Sequence, residues 1–233
     1  MNRLRLLAAL AALVFATVML AGCASSQPAA EQPAAPAETP AAPAAPATPA
    51  EQPAGLHTGA YAVKGGEIVR VTTNKGVFEI AFNADKAPNT VSSFLELVAA
   101  KFYDKIRVHR VEPGFVMQVG DPETRKLTAK QVPEIMARQK TGPLPSDPPL
   151  GSGGPGWNMA AEFSDLKHDR GVVAMARTQD PNSAGSQFYI TLGPANHLDG
   201  QYTIFGHVVK GMEVVDKLTV GDVITSAVIV GGK

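Results

Sequence analysis

The sequence predicts a mainly β fold with about eight short strands in an antiparallel sheet. Runs rich in β-branched and aromatic residues recur between positions 68 and 230, and Gly, Pro and Asn stand between them. Only two of the segments between these runs show a clear helical character, one early and one late. A sheet of many short strands removes its exposed edges by closing, so the residues predict a barrel or a sandwich with helices covering it.

The predicted strands follow one another at short intervals. Asn74, Lys75 and Gly76 separate the first two runs, and this spacing favours a hairpin. In chain order, the predicted strands are 68–73, 77–82, 105–111, 115–119, 171–176, 187–192, 203–209 and 223–230.

The early helix begins at Pro88, because a proline fits the first turn, where its missing N–H is not needed. Apolar residues then recur at i, i+3, i+4 and i+7 and predict one buried face, formed by Val91, Phe94, Leu95 and Val98. A short second helix is expected over 212–218, before the last strand.

The N-terminus has the pattern of a targeting segment. Two arginines precede an apolar stretch over 6–20, which is shorter than the roughly 20 residues that span a bilayer. It ends at Leu20-Ala21-Gly22-Cys23, and Cys23 is the only cysteine. Small residues before a cysteine resemble the lipobox of bacterial lipoproteins, in which the peptide is cut before an acylated cysteine. The alternatives are an uncleaved signal anchor or an ordinary secretory peptide.

The stretch from residue 24 to about residue 59 consists mainly of Ala, Pro, Gln, Glu and Thr. It has few branched or aromatic side chains to bury, so we expect a disordered spacer. We divide the chain into a signal peptide (1–22), a lipidated cysteine with its linker (23–64) and a folded domain (65–233).

Two sequence blocks indicate a function. The first is 108–122, where a strand containing Arg110 is followed by a Pro-Gly turn and a second strand with Phe115 and Gln118. The second is 174–189, which ends in Ser-Gln-Phe-Tyr, and Leu198-Asp199-Gly200 follows it. Together they resemble the cyclophilin family of peptidyl-prolyl cis/trans isomerases over residues 68–231. The resemblance implies a closed eight-stranded antiparallel barrel with a helix across each open end.

The resemblance also implies a catalytic group consisting of Arg110, Phe115 and Gln118. A guanidinium keeps its charge at any working pH and presents several donors in one plane, so Arg110 suits donation to a prolyl nitrogen. Taken alone, an arginine on a strand is more often part of a surface salt bridge. Gln118 resembles a residue that bonds the substrate backbone, and Phe115 resembles the floor of the proline pocket. Without the resemblance they are a polar wall residue and a core residue.

The family pattern further implies a set of substrate-binding residues, namely Val116, Ala176, Arg177, Thr178, Gln187, Tyr189, His197, Leu198 and Tyr202. The backbone of 176–178 is expected to pair with an extended substrate, so side-chain identity matters less there. Four positions depart from many members: Val116 replaces Met, Tyr189 replaces Phe, His197 replaces Trp and Tyr202 replaces His. An insertion over about 123–149 also departs from the pattern, and its composition is helical over 127–139 with an interruption at Pro133.

Other classes of function are disfavoured. Acidic and basic residues balance at 21 each, and no basic run is present to follow a nucleic acid backbone. The five histidines lack the spacing of metal ligands, so neither a metal nor a cofactor is expected. We expect a monomeric isomerase that acts on proline-containing exported polypeptides. It would be held at the cell envelope through Cys23, with its domain in the periplasm or at the cell surface. The alternatives are a non-catalytic proline-binding or chaperone module and a surface-exposed adhesin.

Overall fold

A computed structural model describes residues 55–232 of the chain. The predicted signal peptide, Cys23 and most of the predicted linker lie outside the described residues. No helix within 55–232 combines the length and the apolar character needed to cross a membrane.

The described part contains eight β-strands and three α-helices. The strands are β1 (Glu67–Thr73), β2 (Gly76–Phe82), β3 (Arg110–Glu112), β4 (Val116–Val119), β5 (Val172–Met175), β6 (Phe188–Thr191), β7 (Ile204–Lys210) and β8 (Ile224–Gly231). The helices are α1 (Pro88–Ala99), α2 (Gln131–Thr141) and α3 (Met212–Val215). The mainly β class and the eight strands are therefore confirmed.

All eight strands belong to one antiparallel sheet in the order β3-β4-β6-β5-β7-β2-β1-β8. The closed barrel that we predicted is only partly found, because the end strands β3 and β8 do not pair with each other. The segments that precede them meet instead, through one isolated bridge between Arg107 and Val223. The last backbone hydrogen bond between these two segments runs from Gly221 N–H to Val108 O, at 2.9 Å. β3 therefore begins after this pairing has ended, and it is shorter than the predicted strand 105–111.

The apolar face of α1 is buried as the spacing predicted, and Pro88 occupies its first turn. The aromatic ring of Phe94 lies at the centre of the core, where it packs on Tyr103, Phe188 and Phe205 with ring centroids 5.0–5.4 Å apart. This cluster lies between α1 and the sheet, so it fixes the inner face of the strands that carry the site.

The prediction of two helices was incomplete, because the insertion contributes α2. Pro133 is the third residue of α2, where a backbone N–H has no intrahelical partner in any helix. The proline therefore does not interrupt the helix. Val132 and Ile135 are buried against Leu150 in a small apolar cluster of their own.

Residues 55–64, which the sequence prediction placed in the linker, lie against the domain. The backbone N–H of His57 donates to the carbonyl of Asn158 (2.8 Å). The backbone N–H of Gly59 donates to Asn89 (2.8 Å), and that of Ala60 donates to Glu96 (2.8 Å).

Candidate active site

The β3–β4 hairpin places Arg110 directly opposite Gln118. The turn between the strands contains Pro113 and Gly114, and the N–H of Phe115 donates to the carbonyl of Glu112 (3.0 Å). Gly114 has φ +74°, a left-handed conformation that a side chain disfavours. Pro followed by Gly is therefore a local sequence signal for this turn, and the turn sets the register of Arg110 and Gln118.

Two polar side chains hold the half-buried guanidinium of Arg110. Nε and Nη2 donate to one carboxylate oxygen of Glu112 (2.9 and 2.7 Å), and Nη1 donates to Oε1 of Gln118 (3.3 Å). A guanidinium has five N–H groups, so each terminal nitrogen keeps one N–H for a ligand. Arg110 is thus held in position and still has donors to offer.

The hydrogen bonds continue from Gln118 through a second glutamine. Nε2 of Gln118 donates to Oε1 of Gln187 (3.0 Å), and Nε2 of Gln187 donates to the carbonyl of Gly153 (2.8 Å). An arginine can only donate and a carbonyl can only accept, so both amides have a single consistent orientation. The two glutamines therefore connect Arg110 to the segment that follows the insertion.

A cavity of about 270 Å³ lies beside Arg110. Every residue that lines it belongs to the set expected from the sequence. They are Arg110, Phe115, Val116, Gln118, Ala176, Arg177, Tyr189, Leu198 and Tyr202. Part of the wall is apolar, because Val116 and Tyr189 are buried in a cluster on which Phe115, Leu198 and Tyr202 pack, and the polar part is formed by Arg110, Gln118 and Arg177. The site is therefore a pocket with one apolar wall and the cation of Arg110 beside it.

The other expected residues lie next to this cavity. Thr178 and Gln187 line a second cavity of about 180 Å³, which shares Gln118, Ala176 and Arg177 with the first. His197 lines neither cavity, but its ring stacks on Phe115 at a centroid distance of 5.3 Å. The structure thus brings the expected site residues together in one groove with two adjoining cavities.

The guanidinium of Arg177 is bonded to neighbouring groups of the protein. Its Nε and Nη2 donate to the carbonyl of Gln201 (3.0 and 2.9 Å), and its guanidinium lies 4.6 Å from the ring centroid of Tyr202. The arginine side chain therefore supports the wall of the cavity.

The hydroxyl of Tyr189 is bonded to a buried histidine. It lies 2.9 Å from Nε2 of His168, and Nδ1 of His168 lies 3.1 Å from a carboxylate oxygen of Asp199. A carboxylate only accepts, so Nδ1 carries the proton and Nε2 accepts from Tyr189. The hydroxyl is therefore satisfied within the wall of the cavity, although a tyrosine in place of phenylalanine adds a polar group there.

Burial and hydrogen bonds together set the protonation states of Tyr189, His168 and Asp199. It raises the pKa of Tyr189 and lowers the pKa of His168, although the hydrogen bond to Asp199 opposes the second shift. Burial also works against the charge of Asp199, but bonds from His168 and the ion pair with Lys167 hold the pKa of this carboxyl below its ordinary value. At neutral pH the group therefore consists of a neutral tyrosine, a neutral histidine and a charged aspartate.

His109 precedes Arg110 and is only 2% exposed. Neither of its ring nitrogens has a hydrogen-bond partner among residues 55–232. Burial lowers the pKa of His109 to about 4, while the charge of Asp121 opposes this shift and Arg110 adds to it. His109 is therefore a neutral buried residue at physiological pH.

The sequence reasoning did not single out Glu112, His168 or Asp199 as parts of the site. Glu112 was detectable in principle, because it stands two positions after Arg110 on one strand and so shares its face. His168 and Asp199 are 31 positions apart. No local spacing joins them, and only the folded chain brings them to Tyr189.

Comparison with known proteins identifies the family. The family model described as cyclophilin-type peptidyl-prolyl cis-trans isomerase matches residues 68–230. The chain belongs to this family. A Brucella abortus protein named as a probable peptidyl-prolyl cis-trans isomerase is 39% identical over 146 residues, which cover 63% of this chain and 68% of the relative.

Other cyclophilin relatives are matched over a smaller share of their length. A peptidyl-prolyl cis-trans isomerase-like protein of Cryptococcus neoformans is 36% identical over 149 residues, or 64% of this chain, but the match spans only 22% of the relative. A Synechocystis protein whose name places it in the thylakoid lumen is 33% identical over 188 residues, which cover 73% of this chain and 48% of the relative.

Solved cyclophilins share the fold. A crystal structure of a cyclophilin-type isomerase from Cryptosporidium parvum has a TM-score of 0.56 and 28% identity, and it covers 72% of this chain and 99% of its own. A second crystal structure of that protein was determined in the presence of the dipeptide Ala-Pro; its TM-score is 0.56, its identity is 27%, and it covers 71% of this chain and 99% of its own.

Proposed function

We propose that the chain catalyses cis/trans isomerisation of X-Pro peptide bonds in exported polypeptides. One observation carries this proposal: the guanidinium of Arg110, held by Glu112 and Gln118, lines a cavity with an apolar wall and keeps N–H groups for a ligand. Family membership supports the same reaction, and the Cryptosporidium relative was solved in the presence of Ala-Pro.

The chemistry requires only that the amide loses resonance. Partial double-bond character gives the peptide bond a rotation barrier of about 18–20 kcal/mol. A donor directed at the prolyl nitrogen stabilises the pyramidal nitrogen, whose lone pair no longer delocalises, and Arg110 has such donors. An apolar pocket favours the twisted amide further, because the twisted form is less polar than the planar one. A rate gain of ~10⁵ requires about 7 kcal/mol of stabilisation specific to the transition state.

The remaining roles follow from position. Phe115, Val116, Leu198 and the ring of Tyr189 would enclose the prolyl ring, since they form the apolar wall of the cavity. Gln118 would bond the substrate backbone and orient Arg110 at the same time. The backbone of 176–178 would pair with the extended substrate beside the second cavity, which Thr178 and Gln187 line.

A peptide assay tests the proposal. The full chain should accelerate isomerisation of a short Ala-Pro peptide, and Arg110→Ala should lower kcat/KM by about 100-fold, which corresponds to ~2.7 kcal/mol of lost transition-state stabilisation. Arg70→Ala is the matched control, because Arg70 pairs with Glu79 (2.9 Å) on strands that do not line the cavity. The proposal fails if the wild-type chain leaves the rate as slow as it is in buffer.

The main alternative is a binding or chaperone module that uses the same groove without turnover. Complementation of a deletion strain separates the two functions. If Arg110→Ala lacks isomerase activity and still restores growth fully, binding is the function that the cell requires.

We further propose that the chain is a lipoprotein, with cleavage after residue 22, acylation of Cys23 and a spacer that leads to the domain. The support is the lipobox-like sequence and an exported relative, the Synechocystis protein. Cys23→Ser should move the protein from the membrane fraction to the soluble fraction, while Ser25→Cys in the same background should not restore anchoring. Protease treatment of intact cells then distinguishes a periplasmic domain from a surface-exposed one.

A further inference from the structure

The insertion forms a groove beside Arg110. Residues of helix α2 and all three residues of β3 line a shared cavity of about 330 Å³, and His109 and Val220 complete the lining. The helix contributes residues at i, i+3, i+4 and i+7, namely Pro133, Met136, Ala137 and Lys140. This spacing places them on one face of the helix.

A neighbouring side of α2 fixes the helix to the domain, and Met136 of the groove packs against it. Val132 and Ile135 are buried with Leu150, so the helix has a core of its own. Arg138 donates to both carboxylate oxygens of Asp147 (2.9 and 2.7 Å), which joins the helix to the connector that follows it. The groove is therefore bounded by a packed helix.

On its other side the groove is bounded by an end strand of the sheet. β3 pairs with β4 along one edge only, and the pairing with the segment before β8 stops at Val108. An unpaired strand edge can accept an extended polypeptide through backbone hydrogen bonds. A neighbouring helix that carries apolar side chains adds contacts for the side chains of such a segment.

The groove adjoins the cavity of about 270 Å³ beside Arg110, in which the proposed function places the prolyl ring and which we call the proline cavity. Arg110 lines both, and the proline cavity in turn shares Gln118 with the cavity beside Gly153. The proline cavity therefore adjoins both of the other cavities, which share no lining residue with each other. A polypeptide whose proline occupies the proline cavity must leave it in two directions, and the direction past Arg110 leads to α2.

We propose that the groove between β3 and α2 binds the stretch of the substrate polypeptide that leaves the proline cavity past Arg110. This inference rests on the proposed isomerase function. The occupant is an extended segment with an apolar side chain against Met136, Ala137 and Val111. Lys140 adds a preference for an acidic residue, because none of the ion pairs within residues 55–232 involves Lys140. The insertion is then a specificity element.

Peptides of different length test the groove in the full chain. The probes are a blocked tetrapeptide with a central Ala-Pro bond and two longer versions, extended before or after this core by a segment containing Leu and Glu. One of the two extensions should raise kcat/KM about tenfold, as expected when one apolar side chain is buried. Ala137→Trp, which fills the groove, should remove this gain and leave the tetrapeptide rate unchanged.

Glu134→Trp is the matched control, because Glu134 is exposed on the same helix and does not line the groove. It should keep the full gain. Lys140→Glu should reverse the preference between a Glu-containing and a Lys-containing extension, whereas Lys130→Glu should not. The inference is overturned if neither extension raises kcat/KM, or if the gain persists in Ala137→Trp. If the proposed isomerase function itself is wrong, the result is different: the wild-type chain then does not accelerate isomerisation of the tetrapeptide either.

Discussion

The imidazole ring of His57 stacks on the indole of Trp157, with ring centroids 3.8 Å apart and planes inclined by 19°. Nε2 of His57 also lies 3.0 Å from a carboxylate oxygen of Glu96 in α1. The stack therefore ties residues that precede β1 to the rim of the groove, since the adjacent Asn158 lines the second cavity.

We predict that His57→Ala lowers the free energy of unfolding by about 1 kcal/mol, the usual contribution of an aromatic pair. Trp157 is the only tryptophan, so its fluorescence reports directly on the stack. The emission maximum should move to longer wavelength as water reaches the indole. His207→Ala is the control, because His207 is exposed on β7, and it should leave the emission unchanged.

Tyr189→Phe should lower the stability of the protein and leave its activity nearly unchanged. It leaves Nε2 of the buried His168 without its donor, so the free energy of unfolding should fall by about 1–2 kcal/mol. The aromatic ring that faces the cavity is retained, so kcat/KM should stay within about twofold of wild type. Urea unfolding and a peptide isomerisation assay measure the two effects.

Tyr202→Phe is the comparison variant. Tyr202 lines the same cavity, but its hydroxyl takes no part in the bonds among Tyr189, His168 and Asp199. We expect a change in stability of less than about 0.5 kcal/mol. Equal losses of unfolding free energy in Tyr189→Phe and Tyr202→Phe would contradict the role assigned to the Tyr189 hydroxyl.

Glu112→Gln should act on activity far more than on stability. The side chain of Glu112 is 51% exposed, and exposed ion pairs contribute about 0–1 kcal/mol to folding. It nevertheless fixes two donors of Arg110, so we expect kcat/KM to fall about three- to tenfold with little change in the thermal midpoint. Glu79→Gln removes a comparable arginine partner outside the cavities, and an equal loss of activity there would refute the explanation.

Stability should fall as the pH is lowered from about 6.5 towards 4. His109 has a pKa of about 4 in the folded protein, against about 6.5 for an ordinary histidine, so in this range the unfolded chain binds a proton that the folded chain does not. Burial lowers the pKa of His168 in the same direction. Stabilisation from His109, on the order of 3 kcal/mol, is complete above about pH 6.5 and is lost by about pH 4.

Urea unfolding at pH 7 and pH 5 measures this loss. His109→Gln replaces the ring with a neutral side chain that does not titrate, so the difference between the two pH values should shrink. His207→Gln alters an exposed histidine and should retain the full difference. An unchanged difference in His109→Gln would exclude His109 as the source.

The order of the elements could be predicted from the sequence because the signals are local. Pro88 and the apolar spacing after it identified α1, and Pro113-Gly114 identified the turn that sets Arg110 against Gln118. Pro133 shows the limit of such reasoning. A proline signals a helix break only in the interior of a helix, and the first residue of α2 could not be read from the composition of the insertion.

The family and nearly all residues that line the cavity beside Arg110 could be predicted from the sequence, because short motifs in the β3–β4 hairpin, in residues 174–189 and at Leu198 contain them. How those residues are supported became visible only in the folded chain. Glu112 and Gln187 orient the polar atoms around Arg110, while His168 and Asp199 bind the hydroxyl of Tyr189. The tertiary structure also placed α2 beside the free edge of β3. Such contacts join segments distant in the chain, and their geometry depends on the packing of the whole sheet.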